Sequence, residues 1–357
     1  MSGDVRLDEL LDVSRLETCV EQGLVRRRPH PSAPLVIYDY TPRATYSRTW
    51  TEETRLCRGL IVDAAGVVRA RPFPKFFALG DPCLGPLPDV APIEVTEKVD
   101  GSLGILYSFD GRPAVATRGA FASAPAQWAT AQYRDRFREL APPPGVTWLF
   151  EIVYPANRVV VDYGDFAGLV LLAAIDIATG ADVAPPSAWP GPVVTRRADL
   201  SSLHEAQAVA AAGPGEGLVA RFSAGPGRPS VRVKLKSDEY LRLHRLLTGV
   251  SPRDIWERLS SGKGVEDLVE RVPAEFAAWV RATADRLEAD FAEAEASCRA
   301  ALAGAPGDRR AAAAWIEQRC ALPAVALKML DGRRYDQLIW RAVQPPGEPP
   351  FRADLAP

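Results

Sequence analysis

Glu97-Lys98-Val99-Asp100-Gly101-Ser102-Leu103-Gly104 stands between two strand-like runs. Upstream, Ile93-Glu94-Val95-Thr96 carries the β-branched residues of a strand. Downstream, Leu103 to Phe109, Asp110-Gly111 and Ala114 to Thr117 read as a hairpin, because Asp-Gly favours a tight two-residue turn. Lys98 therefore ends a strand, and Gly101 with Ser102 permits close backbone approach to a ligand. Lys-x-Asp-Gly by itself is weak, since roughly one chain in ten of this length contains it by chance. Taken alone it reads as a surface lysine before a turn, so its weight depends on its surroundings.

The surroundings repeat the same architecture. Gly59 to Asp63 and Val67 to Arg71 form a hairpin around Ala64-Ala65-Gly66. Trp148 to Val153 and Arg158 to Tyr163 suggest a third pair around Pro155-Ala156-Asn157. Leu169 to Ile175, Gly217 to Phe222 and Ser230 to Lys236 add strands, and Leu7 to Val20 suits a short helix. Hairpin-joined strands predict antiparallel sheets and an α+β class. After Lys236 the composition turns to Ala, Leu, Glu and Arg. Phe276, Val280, Leu287, Phe291 and Cys298 step by 4, 7, 4 and 7, one face of a long helix, with Pro273 in a first-turn position. Asp308 to Cys320, Ala324 to Leu330 and Tyr335 to Val343 also read as helices. The expected divisions are 1–240, a helical domain over 241–345, and an irregular Pro-rich tail over 346–357.

Composition narrows the function classes. The 357 residues are 47% hydrophobic and 25% charged, ordinary for a globular chain. No apolar run is long enough for a membrane span, and the first residues lack the pattern of a secretory signal. Five scattered cysteines without a CxxC pair, and only three histidines, disfavour a zinc site and suit a reducing cytoplasm. A net charge of −2 does not advertise a nucleic-acid binder, so such contacts must use local Lys and Arg clusters.

Phe150-Glu151-Ile152-Val153-Tyr154 buries a carboxylate in an apolar strand, which is costly without a nearby cation or donor. Glu216-Gly217-Leu218-Val219 sets a second acid before a strand, and Lys234-Leu235-Lys236 puts two lysines on one strand face. Each alone is compatible with a solvated face. Together they equip a chain to move a nucleotidyl group. An ordinary lysine, with a pKa near 10.4, is a free amine about once in 2,500 at pH 7. Lys234, Lys236 and a metal could lower that of Lys98, allowing attack on the α-phosphorus of ATP. Glu151 and Glu216 would hold Mg²⁺ or contact ribose hydroxyls.

These residues resemble the motifs of the covalent nucleotidyltransferases, and more closely those of the T4 RNA ligase 1-like family. The resemblance implies that Lys98 carries AMP through a phosphoramidate bond, with Asp100 and Gly101 in the same ATP-binding motif. It implies that Glu151 and Glu216 are acids of the third and fourth motifs, with metal assigned to both here, and that Lys234 and Lys236 contact phosphates. Cys57-Arg58-Gly59-Leu60 and Arg71-Pro72-Phe73-Pro74-Lys75-Phe76-Phe77 lie upstream of the lysine, as in that branch. The resemblance places Arg58, Lys75, Phe77 and Tyr40 at the nucleotide, and Arg118 where many members have a lysine. It covers residues 35 to 240 and implies a nucleotidyltransferase (ATP-grasp-like) domain of two packed antiparallel sheets, followed by an all-helical domain with no OB-fold. The implied substrates are ATP, with Mg²⁺ or Mn²⁺, and RNA bearing 5′-phosphate and 3′-hydroxyl ends. Cleaved tRNA is a candidate RNA, an end-healing kinase or phosphatase a candidate partner, and no membrane is involved. A DNA or other polynucleotide adenylyltransferase, and an inactive RNA- or nucleotide-binding relative, remain the alternatives.

Overall fold

The computed structural model describes residues 4–347 except 93, 185–188, 271 and 273. Ile93, Pro273 and the tail from 348 onward lie outside the described residues. The chain divides into two compact units, Met1–Leu241 and Arg242–Pro357.

The first unit contains thirteen described strands. In chain order they are β1 (Val25–Pro29), β2 (Leu35–Tyr40), β3 (Arg58–Asp63), β4 (Val68–Ala70), β5 (Phe77–Ala78), β6 (Glu94–Glu97) and β7 (Ser102–Phe109). There follow β8 (Arg112–Thr117), β9 (Val146–Val153), β10 (Gly168–Asp176), β11 (Asp182–Val183), β12 (Gly217–Phe222) and β13 (Val231–Lys236). They form three sheets rather than the expected two, in the orders β1-β2-β3-β4, β11-β10-β9-β7-β8 and β5-β13-β12-β6. The third sheet is mixed, because the two-residue β5 runs parallel to β13.

The first two sheets share a core that includes Ile37 and Ile61 from one and Ile105, Leu149 and Ile175 from the other. Helix Ala124–Arg136, capped by Ser123, buries Ala126, Ala129 and Tyr133. Helix Leu203–Ala212 starts with a Ser202/Glu205 capping box and packs Ala206 and Ala210 into the core of the third sheet.

The β7–β8 hairpin turns at Asp110 and Gly111, with φ of 52° and 70°, as a primed turn requires. Residues 158–163 do not form the expected strand. β9 pairs instead with β7 and β10, while Val160 and Val161 donate their N–H groups to Asp100. The expected helix over 7–20 is broken into Leu7–Leu10 and Val13–Glu21, because Asp12 accepts from Ser14 and Arg15 as a cap.

The second unit is built around helix Ala274–Ala303, whose Phe276, Val280, Leu287 and Cys298 are buried. Helices Arg309–Arg319, Pro323–Leu330 and Asp336–Ala342 follow. Among the described residues no strand follows Lys236, and no helix is long and apolar enough to cross a membrane.

Candidate active site

The third sheet brings Lys98 to an acid 118 residues away. β6 pairs with β12 so that Glu97 faces Leu218, and the Lys98 N–H donates to the Gly217 carbonyl at 2.8 Å. Gly217 has φ +125°, and a Cβ there would lie 2.0 Å from the Leu235 oxygen, so only glycine lets the strands approach. The neighbouring Glu216 is 5% exposed. Its Oε2 accepts from Lys98 Nζ at 2.6 Å, and its Oε1 lies 3.6 Å from Lys236 Nζ. Arg232, Lys234 and Lys236 alternate onto one face of β13.

Asp100 and Gly101 build the turn that carries the lysine. Asp100 Oδ2 accepts from Val160 and Val161, Oδ1 accepts from Tyr240, and the Asp100 N–H donates to the Tyr163 hydroxyl. Both oxygens of this buried carboxylate thus have protein donors. A Cβ on Gly101 would sit 2.5 Å from the Ile152 carbonyl, which accounts for glycine after Asp100.

Glu151 lies on β9, opposite Leu103 of β7 and Val170 of β10. Burial raises its carboxyl to about 7; Lys98 and Arg58 pull downward, and Glu216 and Asp100 push upward. Arg58 rests against Phe73 and Phe76, 4.8 and 5.7 Å from the ring centroids, and its buried Nη1 has no hydrogen-bond partner. Lys234 Nζ stands 4.8 Å over Phe76. Burial and the cations Lys75, Lys98, Arg58 and Lys236 depress the Lys234 pKa well below that of an ordinary lysine. Lys236 is lowered too, by burial and opposed by Glu216.

A cavity of about 130 Å³ is lined by Arg58, Lys98, Glu151 and Arg232, with Leu171 and Val219 among its apolar walls. Arg232 pairs with Asp182 and lies 4.5 Å over Phe73. Among the described residues no group of three or more His, Cys, Asp and Glu side chains converges as a metal cage. Mg²⁺ commonly needs only one or two carboxylates, keeping waters and substrate phosphates as other ligands. Glu151, burdened by neighbouring acids, and Glu216 fit such an open site.

Tyr40, Lys75, Phe77 and Arg118 gather around a second aromatic cluster. Lys75 Nζ stands 5.2 Å from the Tyr40 centroid and 5.6 Å from that of Phe77. Arg118 lies 4.3 Å over Tyr40 and 3.1 Å from the buried Asp39. Burial would raise the Tyr40 phenol, but Arg118, Arg58 and Lys75 bring it below its ordinary value. Arg26, Arg27 and Arg28 engage Asp39, Glu17 and the Gly119 carbonyl.

Sequence reasoning missed Asp39, Trp50 and Arg232. The alternation with Lys234 and Lys236 was a signal for Arg232, whereas Trp50 lies in a loop with no periodic signal.

No protein-family model and no curated protein matches the chain. Solved structures similar to it include RNA ligases. An archaeal ATP-dependent RNA ligase is 18% identical, with a TM-score of 0.44 and coverage of 86% of each chain. A Naegleria gruberi RNA ligase mutant with ATP and Mn is 21% identical, with a TM-score of 0.31 over 43% of this chain. The match spans about half of the Naegleria chain, 51%.

Proposed function

We propose that the chain is an ATP-dependent RNA ligase of the T4 RNA ligase 1-like kind, with its adenylation site in the first unit. The observation that carries this reading is the Lys98 amine. It lies 2.6 Å from Glu216 and lines a cavity together with Arg58 and Glu151. Lys234 and Lys236 flank it on one strand face. That excess of cations suits a polyphosphate.

In the first step, Lys98 Nζ bonds to the α-phosphorus while the bond to the bridging oxygen breaks and pyrophosphate leaves. The ammonium must first lose a proton, and Glu216 Oε2 is within reach to accept it. Arg58, Lys75, Lys234 and Lys236 supply fixed positive charge to phosphate oxygens in the transition state. A Mg²⁺ or Mn²⁺ held by Glu151 and Glu216 would add charge neutralisation on the phosphates. Burial raises the Glu151 carboxyl to about 7 despite Lys98 and Arg58, so in its protonated form it can donate to a ribose hydroxyl.

In the second step, an oxygen of an RNA 5′-phosphate takes the adenylyl group, the P–N bond breaks, and the lysine regains a proton. In the third, an RNA 3′-hydroxyl oxygen bonds to the 5′-phosphorus and AMP departs.

The test is incubation with α-labelled ATP and Mg²⁺. Wild type is expected to retain acid-labile label and Lys98→Ala none. Unlabelled wild type, or equal labelling of the variant, overturns the reading. Parallel offers of single-stranded RNA, nicked RNA and nicked DNA then decide the polymer. Sealing of DNA alone would reject RNA as substrate.

A further inference from the structure

Lys75 is held differently from Lys98, Lys236 and Arg118; like Arg58 and Lys234 it rests against aromatic rings, but against three of them. Three rings surround its ammonium, with centroids 5.2 Å (Tyr40), 5.1 Å (Trp50) and 5.6 Å (Phe77) from Nζ. The rings brace one another edge to face, Tyr40 to Trp50 at 5.0 Å and Trp50 to Phe77 at 5.5 Å. Lys98 and Lys236 share Glu216, and Arg118 has Asp39. Among the described residues no acid pairs with Lys75.

The distinction has chemical content. A carboxylate fixes a lysine but cancels its charge toward an incoming anion. An aromatic face fixes it through the ring quadrupole and leaves the charge intact. Lys75 also lines a second cavity, of about 250 Å³, whose wall includes Arg55 and Arg232 and no acidic residue. Arg55 stands over the same Phe77 ring at 5.4 Å. Arg232 is paired with Asp182, so Lys75 and Arg55 are the cations of this wall that an anion can approach.

We infer that Trp50 is a positioning residue that holds Lys75, with its charge uncompensated, against the phosphates of ATP that depart as pyrophosphate. The identity of the anion rests on the ligase reading. Trp50 reaches this place because Thr51 caps helix Glu52–Leu56 and fixes the loop end beside it.

Trp50→Leu removes the π face and keeps apolar bulk, while Trp50→Phe keeps a face. Two measurements apply to the full chain: KM and saturating rate for self-adenylylation, and calorimetric affinity for inorganic pyrophosphate. Trp50→Leu is expected to raise KM for ATP and weaken pyrophosphate binding by roughly 5- to 30-fold. Trp50→Phe should restore both affinities to within about threefold of wild type. In a Lys75→Met background, Trp50→Leu should cause no further loss, since the two then act through one contact.

Unchanged pyrophosphate affinity in a folded Trp50→Leu protein overturns the inference. So does equal damage from Trp50→Phe, an undiminished effect in the Lys75→Met background, or a wild type that does not bind pyrophosphate. Absence of a Lys98 adduct in wild type would instead overturn the ligase reading, and the pyrophosphate titration would still decide the role of Trp50.

Discussion

Replacing Glu151 with glutamine should flatten the pH dependence of stability. In the folded chain, burial raises this carboxyl from its ordinary 4.5 to about 7, a roughly 300-fold stronger hold on its proton. Between those values the native state keeps a proton that the unfolded chain has released. The resulting stabilisation is fully present below pH 4.5 and is lost as pH rises through about 7. Its full size is about 3 kcal/mol, most of which falls between pH 5 and pH 8. Glutamine occupies the same position and does not titrate. Urea unfolding followed by tryptophan fluorescence, at pH 5 and pH 8, gives the change for each protein. Groups common to both cancel in the difference. Wild type should lose roughly 2 to 3 kcal/mol more than Glu151→Gln across this range. An equal loss in the two proteins would show that burial does not raise this carboxyl.

Lys236→Ala should slow labelling by about 100- to 1,000-fold through loss of one fixed donor to phosphate; an initial rate equal to wild type would remove Lys236 from the site. Gly217→Ala should cost more than about 3 kcal/mol, because a Cβ would meet the Leu235 carbonyl oxygen. Gly80 also has positive φ, +83°, but has no atom within 4 Å of an added Cβ, so Gly80→Ala should cost only about 1–2 kcal/mol. Thermal melts of the two alanine variants test that contrast.

Local pattern made the hairpins legible. Asp110-Gly111 between apolar runs encodes its own turn, and β3 and β4 are joined by the short run 64–67. Long-range competition was not legible. Residues 158–163 have strand composition, yet Asp100 captures two of their N–H groups from 60 and 61 residues away. Asp100 reads as a ligand-binding acid, and its four partners, Val160, Val161, Tyr163 and Tyr240, come from segments too distant for local pattern to show. Glu151 was visible because charge in an apolar strand is conspicuous, although Asp39 offers the same signal in Leu35–Tyr40 and was missed. Trp50 was not, since a tryptophan in a loop carries no periodicity, and its neighbours Tyr40, Lys75 and Phe77 come from other segments. Helix Ala124–Arg136 also escaped notice; its buried face consists mainly of alanines and one tyrosine, which give little apolar contrast.

The contact between Lys98 and Glu216 has a temporal consequence. Its halves lie on opposite sides of the whole second sheet in chain order, and the Gly217 carbonyl that receives the Lys98 N–H arrives with the acid. Contacts so far apart in the chain form only after a large loop has closed. A ribosome-bound chain that has not yet released residue 216 therefore displays the lysine without its proton acceptor. If Lys98 is the nucleophile, the earliest moment at which ATP can mark a newly made molecule coincides with closure of the third sheet, and immature copies would leave the nucleotide pool untouched.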